Sequence, residues 1–497
     1  MSGLFGTLNT ATSGLLAQQN ALQTIGHNVS NLNTPGYSRQ RVDLQTNVAQ
    51  QVPGVGQIGT GVQVGGISRM TDPFIMNQLM NGYSTTSKHQ ALSDTIGQLE
   101  ATFNEPSETG LSNQISEVFN AWTYLASNPE QAASKTMIVQ TSETFVDTVQ
   151  HMANAMKALK ADTVQQLDKA AVDANSTLKQ LEDLNHQIWQ ASVRGYTPND
   201  LLDTQDQLVN KLASQGDIKV EKDKYNRVSI TMDEQILLNE NTRNEIMTVA
   251  SLNDSGEAVL SDETTLTAEA KVGQFVIKSD KEGTAAYQPI NLDGGSVKGT
   301  QEALTVIDDM QAGLDQFAYD FATAVNTIHS NDGEGTDFFT VSEEGSALSL
   351  QVNQKIKEDP NQIVTGKSMD NENEIDGDGS RAQLISSLKN TPINLDGDWY
   401  DDDTMKINSD VNSSTLFDSY NGMVTDMGII KQQSDNMLDT QEGLMSLLEQ
   451  RRESVSGVDI NGEVTDMIKY SSAFQANSKV LATLSEMLDT LINRTGV

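Results

Sequence analysis

The chain carries five histidines, at positions 27, 89, 151, 186 and 329, and none lies within four residues of another. A helical zinc centre needs two imidazoles one turn apart, so a metalloprotease-like site is not expected. No Gly-x-Ser-x-Gly elbow marks a serine nucleophile, and the absence of cysteine removes thiolate metal sites, disulfides and cysteine nucleophiles together. His186, close to Trp189 within one helical pattern, reads as a packed or surface side chain rather than a base. The glycines from Gly54 to Gly61 could suggest a phosphate loop, but no Lys-Ser or Lys-Thr follows them. Two acidic clusters, Asp370, Glu372, Glu374, Asp376 and Asp378, then Asp396, Asp398, Asp401, Asp402 and Asp403, offer the hard oxygens that calcium prefers. Counted from Asp370, however, Ile375 and Arg381 occupy the sixth and twelfth positions, which breaks the calcium-loop frame. A solvated acidic loop is expected, and the chain reads as non-enzymatic, with no catalytic residue, metal or cofactor.

Composition excludes more. With 68 acidic against 32 basic residues the formal net charge is -36, which opposes wrapping phosphate backbones or lying on an anionic membrane. Neither nucleic acid nor membrane is an expected partner. The first residues lack the basic segment and apolar core of a cleaved secretory signal, and no uncharged apolar run reaches the length of a membrane span. Secretion, if it occurs, is expected without cleavage. At 497 residues and 37% hydrophobic, an elongated multi-domain protein is expected.

What must position such a surface is a pair of helical ends. No Asp, Glu, Lys or Arg occurs from Met1 to Ser38. A helix that meets neighbours on every face cannot stack like charges cheaply, so this segment reads as an assembly surface. Leu8, Leu15, Leu22 and Val29 step by seven, with Leu4, Ala11, Ile25 and Leu32 at the complementary positions. Near the other end Met467, Phe474, Leu481 and Leu488 repeat the device, with Leu484 and Leu491 beside them. The two ends are expected to pair, and to gain order fully only when neighbouring subunits supply the missing surface.

Between them, 33–69 is turn-rich, marked by Pro35-Gly36 and Pro53-Gly54. Helical spacing resumes at Leu92, Ile96, Leu99 and Phe103, and again from Leu111 to Leu125. From Glu130 to Val193 no Pro or Gly interrupts 64 residues, in which Met137, Ile138, Phe145, Met152, Leu167, Leu181, Ile188 and Trp189 keep helical spacing. Such a helix would be roughly 95 Å long, suited to a rod-shaped layer. Strand-like alternation follows, at Ile218 and Val220, at Val228, Ile230 and Met232, and over 264–267 and 275–277. Ile307, Leu314, Phe321 and Ile328 then restore a helix, and Leu416, Met423, Ile430, Met437 and Leu444 mark a last long one. The expected fold is mainly α with inserted β-rich segments. Residues 1–45 and 456–497 would form a terminal coiled-coil domain; 46–216, 299–336 and 414–455 a helical rod; 217–298 a β-rich insert; and 337–413 a mixed acidic outer segment.

Asn28-Val-Ser-Asn-Leu-Asn-Thr-Pro-Gly-Tyr-Ser-Arg-Gln, with Asn28, Asn31, Thr34, Pro35, Gly36, Tyr37, Ser38 and Arg39 as its defining positions, resembles the opening motif of bacterial flagellar axial proteins. The stretch 467–481 resembles their closing motif. Asn199-Asp-Leu-Leu-Asp-Thr-Gln-Asp-Gln-Leu-Val, Ala324-Val-Asn-Thr-Ile-His with Gly335-Thr-Asp-Phe-Phe, Gly377-Asp-Gly-Ser-Arg-Ala and 451–459 are similar to the hook-associated protein 1 family. That family usually has Asn where Arg381 stands. The resemblance implies a non-enzymatic junction adaptor exported through the flagellar type III apparatus without a cleaved signal. Its implied partners are copies of itself, the hook protein, a second junction protein and through it the filament, and a cytoplasmic export chaperone on the C-terminal helix. A hook or distal-rod subunit would share both ends but lack the long helix and the internal stretches. A secreted enzyme displayed on the β insert has no supporting constellation.

Overall fold

A computed structural model describes residues 2–52, 56–266, 269–281, 284–368, 377–395 and 397–494. Pro53, Gly54, Thr267, Asp370, Glu372, Glu374, Asp376 and Asp396 lie outside the described residues. Helix α1 (Ser2–Ser30) precedes strands β1 (Gln40–Thr46), β2 (Gln50–Val52), β3 (Gly56–Ile58) and β4 (Val62–Arg69). Helices α2 (Pro73–Phe103), α3 (Leu111–Ser127), α4 (Ala132–Val193) and α5 (Asn199–Gln215) follow. Then come β5 (Lys219–Lys222), β6 (Val228–Met232), β7 (Gln235–Leu238), β8 (Glu245–Leu252), β9 (Ala258–Leu260), β10 (Phe275–Lys281), β11 (Thr284–Pro289) and α6 (Gly295–His329). The outer segment holds β12 (Phe339–Thr340), α7 (Ser346–Ser349), β13 (Gln351–Val352), α8 (Gln354–Glu358), α9 (Ser380–Ser387), β14 (Tyr400–Asp401) and β15 (Lys406–Ile407). The helices α10 (Leu416–Ser456) and α11 (Ile460–Asp489) close the order. The fold is mainly α with inserted β-sheets.

With no Pro or Gly to break it, α4 runs for 62 residues and carries two cores in succession. Its first half, through Ile138, Phe145, Met152 and Leu159, packs with α3, α6 and the outer segment around fully buried Trp122, Phe119, Phe321 and Phe338. Its second half, through Leu167, Leu178 and Leu181, shares a core with α5 and the strands, including Leu212, Ile230 and Phe275. Two antiparallel sheets, β5-β6-β7 and β11-β10-β8-β9, lean on this half. Asn175 exchanges hydrogen bonds of 2.7 and 2.8 Å with the Ile246 backbone, and Asn185 does the same with Val228 at 2.8 and 2.9 Å. Met137 and Trp189, which the spacing groups with the buried stripe, face outward.

Helix α2 lies between α6 and α10. A Cβ on Gly299 would collide with the Lys88 carbonyl, and one on Gly82 with Met445, so both crossings are close. On α10, Leu416, Tyr420, Met427, Ser434, Met445 and Leu448 face the bundle. The heptad by which the sequence marks this helix starts buried at Leu416 and ends exposed at Met437 and Leu444. Seven residues fall about 20° short of two full turns, so a strict repeat drifts around a straight helix.

Two buried polar side chains pin the outer segment to the end of α6. His329 has Nδ1 2.8 Å from the Thr336 carbonyl oxygen and accepts from the Val364 N–H at 3.2 Å through Nε2, which makes it a neutral imidazole. Burial pushes its pKa down to about 4. Arg381, fully buried, donates to the carbonyls of Gly366, Ile328 and Lys367. Burial lowers its pKa, an effect that Tyr400, Asp378 and Glu334 only partly offset.

Candidate functional site

The expected pairing of the ends takes the form of α1 against α11. Asn28 meets Glu463, and a Cβ on Gly14 would lie 2.9 Å from the Asn477 amide. Stepping back along α1 means stepping forward along α11, so the helices are antiparallel. The seam between them is built from small side chains: Ala11, Gly14, Ala17, Ala21, Thr24, Ile25 and Asn28 are the buried residues of α1. Leu4, Leu8, Leu15, Leu22 and Leu32 are half-buried along its edge, Ile25 is buried and Val29 is exposed. On α11, Leu484 is buried, Phe474, Leu481 and Leu488 are half-buried, and Met467 is exposed, as is Leu491 just beyond the helix. The leucine stripe therefore stands one residue beside the intramolecular seam, because the glycine and alanines let the two backbones approach there instead.

The opening motif closes the base of this pair. Asn28 uses its whole side chain: Oδ1 accepts from the Gln40 N–H at 3.0 Å and the Tyr37 hydroxyl at 2.8 Å, while Nδ2 donates to the Gln40 carbonyl at 2.9 Å and Glu463 at 3.2 Å. Two donors and two acceptors in that geometry describe an amide and nothing else in the natural set. His27 Nδ1 lies 2.9 Å from the Tyr37 oxygen. Burial, then the carboxylates of Asp200, Asp203 and Glu463, push the Tyr37 pKa up, which keeps its proton for Asn28. Gly36 takes φ of 75°, with Gln207 filling the space a Cβ would need and donating to the Pro35 carbonyl at 2.8 Å. Thr34 donates to Asn31 at 3.2 Å and holds the turn.

Arg39 and Ser38 carry the motif outward. The Arg39 Nε donates to Glu463 at 2.6 Å, its NH2 group lies 3.6 Å from Asp466, and its backbone N–H reaches the Ser456 carbonyl at the end of α10. Glu463 is 1% exposed. Ser38 donates its N–H to Asp203 at 3.2 Å, and Gln40 reaches Asp200 at 2.9 Å and Asn199 at 3.2 Å on α5. On the same helix Asp203 and Asp206 hold Arg69 at 2.7 and 2.8 Å. Burial opposes the Arg69 charge, but Asp206 and Asp203 outweigh it and hold the pKa above its ordinary value. Three sequence stretches far apart in number, 28–40, 199–206 and 451–463, thus meet in one polar node. Glu463 and Arg69, which close it, carry no signal in the sequence beyond charge.

The other candidates fall elsewhere. Asp378 caps the N–H groups of Lys367 and Ser380, and Asp401 that of Thr404. Among the described residues no group of three His, Cys, Asp or Glu side chains converges to hold a metal ion. His186 stacks on Trp189 with ring centres 6.0 Å apart. No described helix is long and apolar enough to cross a membrane.

Comparison with known proteins gives the node a context. Residues 96–339 match the family described as flagellar hook-associated protein FlgK helical domain. Residues 8–37 match flagella basal body rod protein, and 449–494 match flagellar basal body rod FlgEFG protein C-terminal. The flagellar hook-associated protein 1 of Bacillus subtilis is 26% identical, with 100% of this chain and 99% of the relative covered. That of Salmonella typhimurium is 25% identical over 98% of this chain and 99% of the relative. The solved structure of the flagellar hook junction protein FlgK from Burkholderia pseudomallei superposes with a TM-score of 0.61 at 15% identity, over 76% of this chain and 100% of that one.

Proposed function

We propose, on the premise that this chain belongs to the flagellar hook-associated protein 1 family, that it works as a structural subunit joining hook to filament in a bacterial flagellum. The likeness runs the full length of the chain, whereas the rod-type likeness is confined to its two ends, which favours the junction over a hook or rod subunit. Its place is the flagellum outside the cell. Its chemistry is adhesion, not catalysis.

The observation that carries the mechanism is the apolar surface left bare along the terminal pair. Phe5 and Leu16 on α1, Ile468, Val480 and Met487 on α11 and Ile492 beyond it are exposed, on a segment whose first part carries no charge. Contacts of one face with a different face of the next copy generate an open lattice rather than a closed dimer, which lets one subunit meet hook protein below and a second junction protein above. Asn28, Arg39 and Glu463 tie the pair together, and Ser38 and Gln40 fix it to Asp203, Asp200 and Asn199 of α5, so a force on the helical layer reaches the terminal lattice. Export without a cleaved signal, and a chaperone that covers α11 beforehand, complete this reading.

The test is a deletion strain viewed by electron microscopy. Hooks that persist while filament protein is lost to the medium support the junction role. Absent hooks would move the chain to the hook or rod.

A further inference from the structure

One face of α10 is left bare by the subunit's own packing. Ile429 is 55% exposed, Met437 41%, Leu444 46%, Leu447 61% and Val455 39%. At alternating steps of four and three, Ile429, Gln433, Asn436, Thr440, Gly443 and Leu447 trace a single seam, and every member is exposed. The seam from Ile429 to Leu447 contains no ionisable residue; Asp426 stands just before it and Arg451 just beyond it. Asp435, Asp439, Glu442 and Glu449 sit on the other faces of the same helix. Gly422 and Gly443, both on this line, have open space where a Cβ would go. This is the pattern of a helix awaiting another helix.

We propose that a second copy of this chain packs against this face of α10 as a lateral contact, an inference that rests on the assembly reading above. The argument for that occupant is electrostatic. Two copies each carrying -36 repel one another, and the repulsion is least where neither presents an ion, as on this seam. A basic partner would instead be expected to seek the acidic faces. From Ile429 to Leu447 the seam spans about 27 Å. At a width of about 10 Å it buries on the order of 540 Å² in total, below the roughly 1,200 Å² of a stable pair. The contact therefore forms only when the terminal helices already hold copies side by side, and the free chain stays monomeric.

The experiment places the photoreactive amino acid p-benzoylphenylalanine at position 444 of the full-length chain in flagellated cells. Illuminating isolated hook-filament structures is expected to give a species of twice the chain mass containing only this protein. In parallel, Leu447→Glu is expected to leave the melting of the free chain unchanged and to lower its incorporation at the hook tip about tenfold, equivalent to 1.4 kcal/mol. Cross-links exclusively to another protein, or normal incorporation of Leu447→Glu with no cross-link to a second copy, would overturn the inference while leaving the junction role standing. Absence of the unmodified chain from isolated flagella would overturn that role and the inference with it.

Discussion

The terminal pair and the helical layer are written in the same seven-residue steps and end up as different materials. In the layer, Phe321 sits with ring centres 5.6 Å from Phe119, 4.6 Å from Phe145 and 5.9 Å from Phe339, all fully buried. In the pair, the buried residues of α1 are alanines, a glycine, Thr24, Ile25 and Asn28, and the large side chains stand at the edge. Burying a phenylalanine contributes about 1.5–3 kcal/mol, an alanine far less. Periodicity alone thus marks where a helix has a preferred side; the size of the side chains decides whether that side is completed within the subunit.

The largest expected effect tests the complete side. Phe321→Ala removes the centre of the aromatic cluster and should cost about 3–5 kcal/mol of unfolding free energy, read by urea denaturation of the free chain. A loss below about 1 kcal/mol would place the layer on the same footing as the ends. Next comes the node that joins the two regions. Arg39→Met leaves Glu463 buried with only the Asn28 amide, a change that costs about 3 kcal/mol for a broken buried pair. Because the damage is local, it should appear as faster amide exchange in 460–470 with the layer unaffected. Adding Glu463→Gln to the same chain should recover part of the protection, since the orphaned charge is then gone. No recovery would mean that the pair holds α11 by packing alone.

Acid sharpens the comparison from another direction. The His329 pKa is depressed from its ordinary 6.5 to about 4, so the unfolded chain takes up a proton first as pH falls. Its contribution is fully present above pH 6.5 and is lost progressively down to about pH 4. Between pH 7 and 5 the layer should lose about 2 kcal/mol, measured as the difference in unfolding free energy. His329→Gln should flatten that dependence. An unchanged slope in the variant would assign the acid sensitivity to carboxylates instead.

Much of the architecture was legible because its signals are local. Freedom from Pro and Gly between Glu130 and Val193 announced α4, and alternation at Val228, Ile230 and Met232 announced β6. The motif 28–40 was legible as a unit, yet its purpose was not. Asn28 satisfies its amide with Glu463, more than four hundred positions away, and no pattern within either segment encodes that pairing. The leucine stripe of α1 misled for a related reason: a heptad announces a seam, but the choice between Leu22 and its neighbour Ala21 as the buried line belongs to the partner helix. In α10 the drift of a strict heptad around a helix of 3.6 residues per turn carried Met437 and Leu444 off the core, a shift that accumulates because the helix continues for 41 residues.

The smallest effect on the free chain should be the most damaging to assembly. Leu22 is half-buried beside the α1–α11 seam, so Leu22→Ala removes little apolar area from the monomer and should cost under about 1 kcal/mol there. In a lattice the same side chain would be enclosed by a neighbouring copy, and its loss would be repeated at every subunit. Contacts repeated around a closed or helical array multiply, so a deficit too small to detect in solution is expected to abolish stable incorporation when Leu8, Leu15 and Leu22 are all replaced. Melting curves and immunogold labelling of the triple variant separate the two quantities. A variant that melts several kcal/mol early would show the stripe to be monomer core, and a variant that melts normally and still decorates the hook tip would show that the lattice does not use it.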